Sequence, residues 1–343
     1  MKAMVLVDKK KLQLTEMDVP AIGANDLLVR VKACGICGSD VHGYDLSTGR
    51  RIPPIVMGHE AAGIVEAVGA NVKEFAPGDR ITFDSMISCG NCAFCFAGEI
   101  NLCDNRRVLG VSCGDYRRHG CFAEYVAIPS RIAYKLPDGL SFEHAATVEA
   151  VSIAAHAVNV AGKIMGKSCV VVGAGMIGQL TLQVLRASGC GMLIATDLDT
   201  TRLERARASG ADHVLKADAP DLVSQVQKLT GGRGADLVFE AVGSNAPVQS
   251  AIACARKGGT IVLIGNTSPK VELPLQAVVT RELSLLGTCG SRGEYPACLD
   301  MMVRGKVNVQ SLISAAAPLD QGPSWFERLY KAEPGLMKII LTP

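Results

Sequence analysis

The sequence predicts an α/β protein of two domains, a β-rich first domain and a doubly wound parallel sheet. Three observations carry that prediction. The 343-residue chain is long enough for about two domains. Up to about residue 150 it reads as short strands cut by Gly, Pro and Asp. Beyond about residue 151, β-branched apolar runs alternate with helical segments.

The first part contributes DLLVRVKAC, AGIVEAVG, DRITF and FAEYVAIP. The second begins with SCVVV, then the helical MIGQLTLQVLRASG, then MLIATD and TTRLERARASG. It continues through ADLVFEAVG and GGTIVLIG to LSLLG at Leu283–Gly287. Repeated strand, helix, strand units require a parallel sheet covered on both faces. From about residue 290 the rhythm stops, and the chain ends in the apolar KIILTP. The expected division is therefore 1–150 with 290–343, returning to the first domain, and 151–289 between them.

Composition removes several function classes. A formal charge of +2, with the basic residues dispersed, leaves no footprint for nucleic acid or an anionic membrane. The apolar stretch in MKAMVLVDKKK is too short for a signal peptide, and no window of about 18 apolar residues occurs. A cytoplasmic protein is expected, and in that reducing compartment 13 cysteines argue for metal binding rather than a disulfide framework.

SCVVVGAGMIGQL sets Gly173, Gly175 and Gly178 in the GxGxxG spacing, with Met176 and Ile177 completing the turn. A strand precedes the glycines, a helix follows, and Asp197 ends the next strand, the context of a dinucleotide site. Gly173 would allow the tight turn, Gly175 close approach of a pyrophosphate, and Gly178 close helix packing. The helix N-terminus then faces the phosphates. The Asp197 carboxylate would accept ribose hydroxyls and repel a 2′-phosphate, so NAD is expected. Arg202 stands either beside the nucleotide or as one more solvated charge of RLERAR.

SCGNCAFCFAGEINLC places Cys89, Cys92, Cys95 and Cys103 on one short loop. Four thiolates surround Zn²⁺ and leave no open position, which marks a structural site. An iron–sulfur cluster is less well supported, because the run lacks the bacterial ferredoxin ending. A second group lies upstream in CGICGSDVHG and GHEAAGIVEAVG. Cys37, His59 and Glu60 offer one sulfur, one nitrogen and one oxygen, and three protein ligands leave a fourth position for substrate.

In this order GICGSD, GHE, the four-cysteine lobe, GCFAEYVAIP, the spaced glycines and GGTIVLIG resemble the zinc-containing medium-chain alcohol and polyol dehydrogenases over nearly the whole chain. The resemblance implies a GroES-like catalytic domain, a Rossmann domain, an active site in the cleft, and a homodimer or homotetramer. It implies two Zn²⁺ per chain, one catalytic at Cys37, His59 and Glu60 and one structural. Glu149, in AATVEAVSIAAHA, is implied as a further ligand, direct or through water, although Ala150 follows it where the family often has proline. Ser39 and His42 match the family's proton relay, and Asp40 would orient His59.

The implied reaction is hydride transfer from a secondary alcohol, a polyol or sugar alcohol, to NAD. Sorbitol-type enzymes often carry a tyrosine directly after the relay histidine, where this chain has Gly43 and then Tyr44. Arg117 and Arg118 suggest a phosphorylated polyol as a variant. Threonine or butanediol oxidation by the same mechanism is the near alternative. A non-catalytic dinucleotide-binding protein is the alternative of another class.

Overall fold

The computed structural model describes every residue except Gly114 and Asp115, and the side chain of Tyr116. Two compact units emerge. One comprises Met1–Glu149, Ser291–Val303 and Val309–Pro343, and the other Ala150–Gly290 with Arg304–Asn308. Among the described residues no helix is long and apolar enough to cross a membrane.

The first unit is built on a seven-stranded sheet. Its order is Ala133–Lys135, Arg80–Phe83, Glu60–Val68, Asp26–Gly35, Lys338–Thr342 and Ile313–Pro318, with Tyr125–Pro129 also pairing onto Asp26–Gly35. Asp26–Gly35 forms a strand because Leu27, Val29 and Val31 recur at every second residue and all three are buried. Beside the sheet, Met4, Leu6, Met57, Phe122 and Phe326 fill the core. Each such burial contributes about 1.5–3 kcal/mol.

One register in this sheet decides where the chemistry sits. Gly35 pairs with Glu60 on one side and with Ile340 on the other. Three segments remote in sequence therefore meet at the end of Asp26–Gly35, just before the chain turns into the helix Gly38–Gly43.

In the second unit six parallel strands run in the order His213–Lys216, Met192–Asp197, Ser168–Val172, Ala235–Glu240, Ala255–Leu263 and Ser284–Gly287. This is the doubly wound order, in which ligands bind beyond the strand C-termini where the winding reverses. Here the reversal lies between Ser168–Val172 and Ala235–Glu240. Val170, Val172, Ile194, Val238 and Ile261 are buried, as near-continuous apolar parallel strands require.

Candidate active site

Cys37 stands immediately before the helix Gly38–Gly43, and His59 and Glu60 stand at the start of the neighbouring strand. The Gly35–Glu60 register brings them together, so that one ligand atom from each of Cys37, His59 and Glu60 lies within 4.8 Å of the others. Gly58 makes the approach possible. Its φ is +90°, and a Cβ would press on Cys34 Sγ and the Phe122 ring at 2.9 Å. A thiolate, an imidazole and a carboxylate form a donor set suited to zinc, and two of the three bring negative charge that a divalent cation offsets.

The surroundings fix these ligands. Asp40, fully buried, places Oδ1 3.4 Å from His59 Nδ1, an electrostatic approach longer than a good hydrogen bond. Ser39 Oγ lies 3.5 Å from His59 Nε2. Burial alone would raise the Asp40 pKa, but His59 and Arg51 outweigh it and hold the carboxyl below its usual range. For His59 burial pulls downward, while Asp40 and Cys37 prevail and raise its pKa well above the ordinary value. In both cases the attraction between opposite charges exceeds the desolvation cost. His42 is exposed on the same short helix as Ser39.

Glu60 has a partner that sequence reasoning missed. Lys338, from the C-terminal strand, donates to Glu60 Oε1 at 2.8 Å and Oε2 at 2.5 Å, and to the Ile36 carbonyl at 3.0 Å. Both side chains are buried. Burial would lower the lysine pKa, yet Glu60 and Cys37 raise it, so the ammonium stays charged. The glycine at position 35 leaves the space, since a Cβ there would collide with Glu60 Oε2.

The four-cysteine loop forms a second, separate group. The ligand atoms of Cys89, Cys92, Cys95 and Cys103 all lie within 4.8 Å of one another. Cys92 and Cys95 sulfurs are 3.5 Å apart, and those of Cys89 and Cys95 4.0 Å. A tetrahedral site with Zn–S of about 2.3 Å spaces its sulfurs at about 3.8 Å, so the group fits zinc. The backbone N–H of Asn91 leads the effects that bring the Cys89 thiol down to about 6, favouring the thiolate a metal needs.

In the parallel-sheet unit, Gly173 takes φ +91° at the strand end, and a Cβ on Gly178 would strike the Gly173 carbonyl. A Cβ on Gly175 would meet nothing within 4 Å, leaving bare backbone at the N-terminus of the helix Met176–Ala187, with Met176 and Ile177 in its first turn. That is the cradle a pyrophosphate requires. Asp197 Oδ2 accepts from Ala174 N at 2.7 Å and Oδ1 from Asp199 N at 2.9 Å. Arg202 Nη1 lies 4.0 Å from Asp197 and is half exposed.

Comparison with known proteins gives this geometry a lineage. The alcohol dehydrogenase GroES-like domain family matches residues 23–138, and the zinc-binding dehydrogenase family matches residues 177–304. Sorbitol dehydrogenase of Bacillus subtilis (strain 168) is 31% identical over 351 residues, covering 100% of this chain and 97% of that protein. L-idonate 5-dehydrogenase of Vitis vinifera is 34% identical, covering 90% and 85%. The chain belongs to the zinc-containing medium-chain alcohol and polyol dehydrogenases. A zinc-binding dehydrogenase of Sinorhizobium meliloti 1021, solved bound to NADP, superposes with a TM-score of 0.91 at 33% identity, covering 100% and 99% of the two chains. The first unit is accordingly the GroES-like domain of this dehydrogenase and the second its Rossmann domain.

Three residues singled out in the sequence stand in settings that only the structure shows. Glu149, on the first turn of the helix Val148–Val160, is not in the tight ligand group. It carries a pKa pushed up to about 7, mainly by burial, and feels His59 and Glu60 electrostatically. Tyr44 is buried, and its hydroxyl lies 2.8 Å from the Lys10 carbonyl and 2.9 Å from Glu327 Oε1, with one hydrogen to share between the two acceptors. Arg117 donates to the Pro53 carbonyl at 3.1 Å and Arg118 to the Ala127 carbonyl at 2.9 Å, one bond from each guanidinium.

Proposed function

We propose that this dehydrogenase oxidises a secondary alcohol group of a free polyol or sugar alcohol, with NAD as acceptor. The observation that carries the reading is the three-donor group of Cys37, His59 and Glu60, whose count leaves a position for substrate, beside the hydroxyl of Ser39. Zinc held there would supply the Lewis acidity that lowers the pKa of an alcohol hydroxyl, and NAD would supply the hydride acceptor. Cys37 and His59 would hold the metal, and Glu60 would share its carboxylate between the site and Lys338. Asp40 keeps the His59 ring aimed. Ser39 Oγ receives the alcohol proton, and the exposed His42, three residues along the helix and on its same side, passes it to water. Glu149, buried and in electrostatic reach of His59 and Glu60, would contact the metal directly or through water. Asp197 accepts the ribose hydroxyls and disfavours a 2′-phosphate.

The polyol class is supported by the sorbitol and L-idonate relatives. A homodimer or homotetramer is supported by the outermost position of Ser284–Gly287 in its sheet and by the exposed Leu273, Leu275 and Val279 just before it. A cytoplasmic location is supported by the clustering of four of the thirteen cysteines into a group suited to a metal, the use of cysteine expected in a reducing compartment.

The test is NADH production across sorbitol, xylitol, L-idonate, polyol phosphates, 2,3-butanediol and threonine. Turnover led by free polyols or sugar acids supports the proposal. Turnover of threonine or butanediol alone moves the substrate within the family, and no turnover on any alcohol by zinc-loaded protein overturns the reading.

A further inference from the structure

Burying an ion pair contributes little net stability, because desolvation offsets the attraction and apolar replacements are often tolerated. A buried pair beside a reactive centre therefore asks for another explanation. Arg51 and Asp40 form such a pair, with side chains 3% and 0% exposed. Arg51 Nη2 donates to Asp40 Oδ1 at 2.8 Å and reaches Ser39 Oγ at 3.4 Å. Nη1 donates to the Arg50 carbonyl at 3.3 Å, and Nε is buried without a partner among the described residues. The glycine at position 43 admits the side chain, since a Cβ there would collide with Arg51 Cγ.

These contacts close a ring. Asp40 Oδ1 faces His59 Nδ1 at 3.4 Å, and His59 Nε2 lies 3.5 Å from Ser39 Oγ, which returns to Arg51. One guanidinium nitrogen thus touches both the carboxylate that aims the histidine and the hydroxyl beside the other ring nitrogen. A serine hydroxyl has one hydrogen and two lone pairs. With one lone pair taken by Arg51, the other can receive a proton while the hydrogen is handed on, which is the arrangement a relay needs.

We propose that Arg51 is a positioning residue for the dehydrogenation, fixing Asp40, and through it His59, together with Ser39, so that metal retention and proton relay are set by one side chain. The proposal rests on the roles given above to His59 and Ser39, and its test separates the two.

Zinc-loaded Arg51→Met, Arg51→Lys, Ser39→Ala and the Arg51→Lys/Ser39→Ala double variant are compared in two measurements. One is zinc release to a chromogenic chelator without NAD or alcohol, and the other is kcat and KM on the best alcohol. Arg51→Met should release the zinc of the Cys37–His59–Glu60 group about 10–100-fold more readily and lower kcat by about 10–100-fold, the usual cost of losing a group that orients a metal ligand. Lysine is a point charge that keeps the Asp40 contact but cannot fork to both partners, so Arg51→Lys should hold zinc within about threefold of the parent while kcat stays about tenfold down. In the double variant the lysine should cost no kcat beyond that of Ser39→Ala.

Parent-like zinc release and kcat in Arg51→Met would overturn the proposal, as would losses that multiply in the double variant. If Ser39→Ala itself leaves kcat unchanged, the relay reading fails, and the zinc-release result still decides the link through Asp40. Should Arg51→Met not fold, the charge-retaining lysine variants carry the kcat comparison.

Discussion

The two groups of this dehydrogenase that could hold a metal are built by opposite means. The four-cysteine lobe draws its four identical side chains from one loop, residues 89 to 103. The Cys37–His59–Glu60 group draws three different ligands from two elements, and a third strand brings Lys338 to Glu60 across 278 residues. A local, saturated shell can only hold structure. A mixed, unsaturated shell embedded in a sheet can be tuned, because two of its three members have charged neighbours of their own: Asp40 for His59, Lys338 for Glu60.

The widest test of that contrast exchanges damage between the groups. Cys95→Ala should forfeit a structural zinc, worth on the order of 10 kcal/mol of apparent binding free energy in small zinc domains. Soluble yield and melting temperature should fall, while the protein that does fold keeps its kcat. Cys37→Ala should do the reverse, with native far-UV circular dichroism and kcat lower by about 1000-fold or more, the loss of several kcal/mol of Lewis-acid stabilisation.

Next in size is Lys338→Met, which strands a buried carboxylate and should cost about 3–5 kcal/mol in denaturant unfolding. A loss below about 1 kcal/mol would mean that Glu60 does not depend on the lysine.

Asp197→Gly extends the contrast to the cofactor, for which the proposed function assigns specificity to one carboxylate and binding to the backbone. It should lower kcat/KM for NAD by about 10–100-fold, the worth of charged hydrogen bonds to a ribose, and narrow the margin over NADP.

The smallest effect is acidic. Burial would raise the Asp236 pKa, but hydrogen bonds from Arg256 and Ser168 bring it down to about 2. A depressed folded pKa gives stability that is present above the unfolded value near 3.8 and lost as pH falls toward about 2. Asp236→Asn should flatten that acid limb of unfolding by no more than about 1 kcal/mol, given solvent screening.

Local patterns were open to sequence reasoning. The parallel strand Ser168–Val172, its glycine turn and Asp197 all lie within a single run of thirty residues, 168 to 197, whose apolar period and turn chemistry suffice. The four cysteines were legible for the same reason. Lys338 was not, because a lysine opening KIILTP reads as the solvated start of a strand, and only the Ile340–Gly35 register turns it inward onto Glu60. Arg51 in GRRIPP likewise reads as a loop charge until the bare Gly43 admits it to Asp40. Tyr44, next after Gly43 in the same motif, packs against Phe326 with ring centroids 5.5 Å apart, a core role its place in the motif does not reveal.

The central claim is that reactivity belongs to Cys37, His59 and Glu60 and not to the lobe. Its most direct measurement follows zinc content and NAD reduction together during titration with a chelator. Two zincs per chain, with activity lost in proportion to the first zinc removed while the second stays with a folded protein, is the result expected. Activity that survives loss of the first zinc and disappears only with the second, as the lobe unfolds, would contradict it.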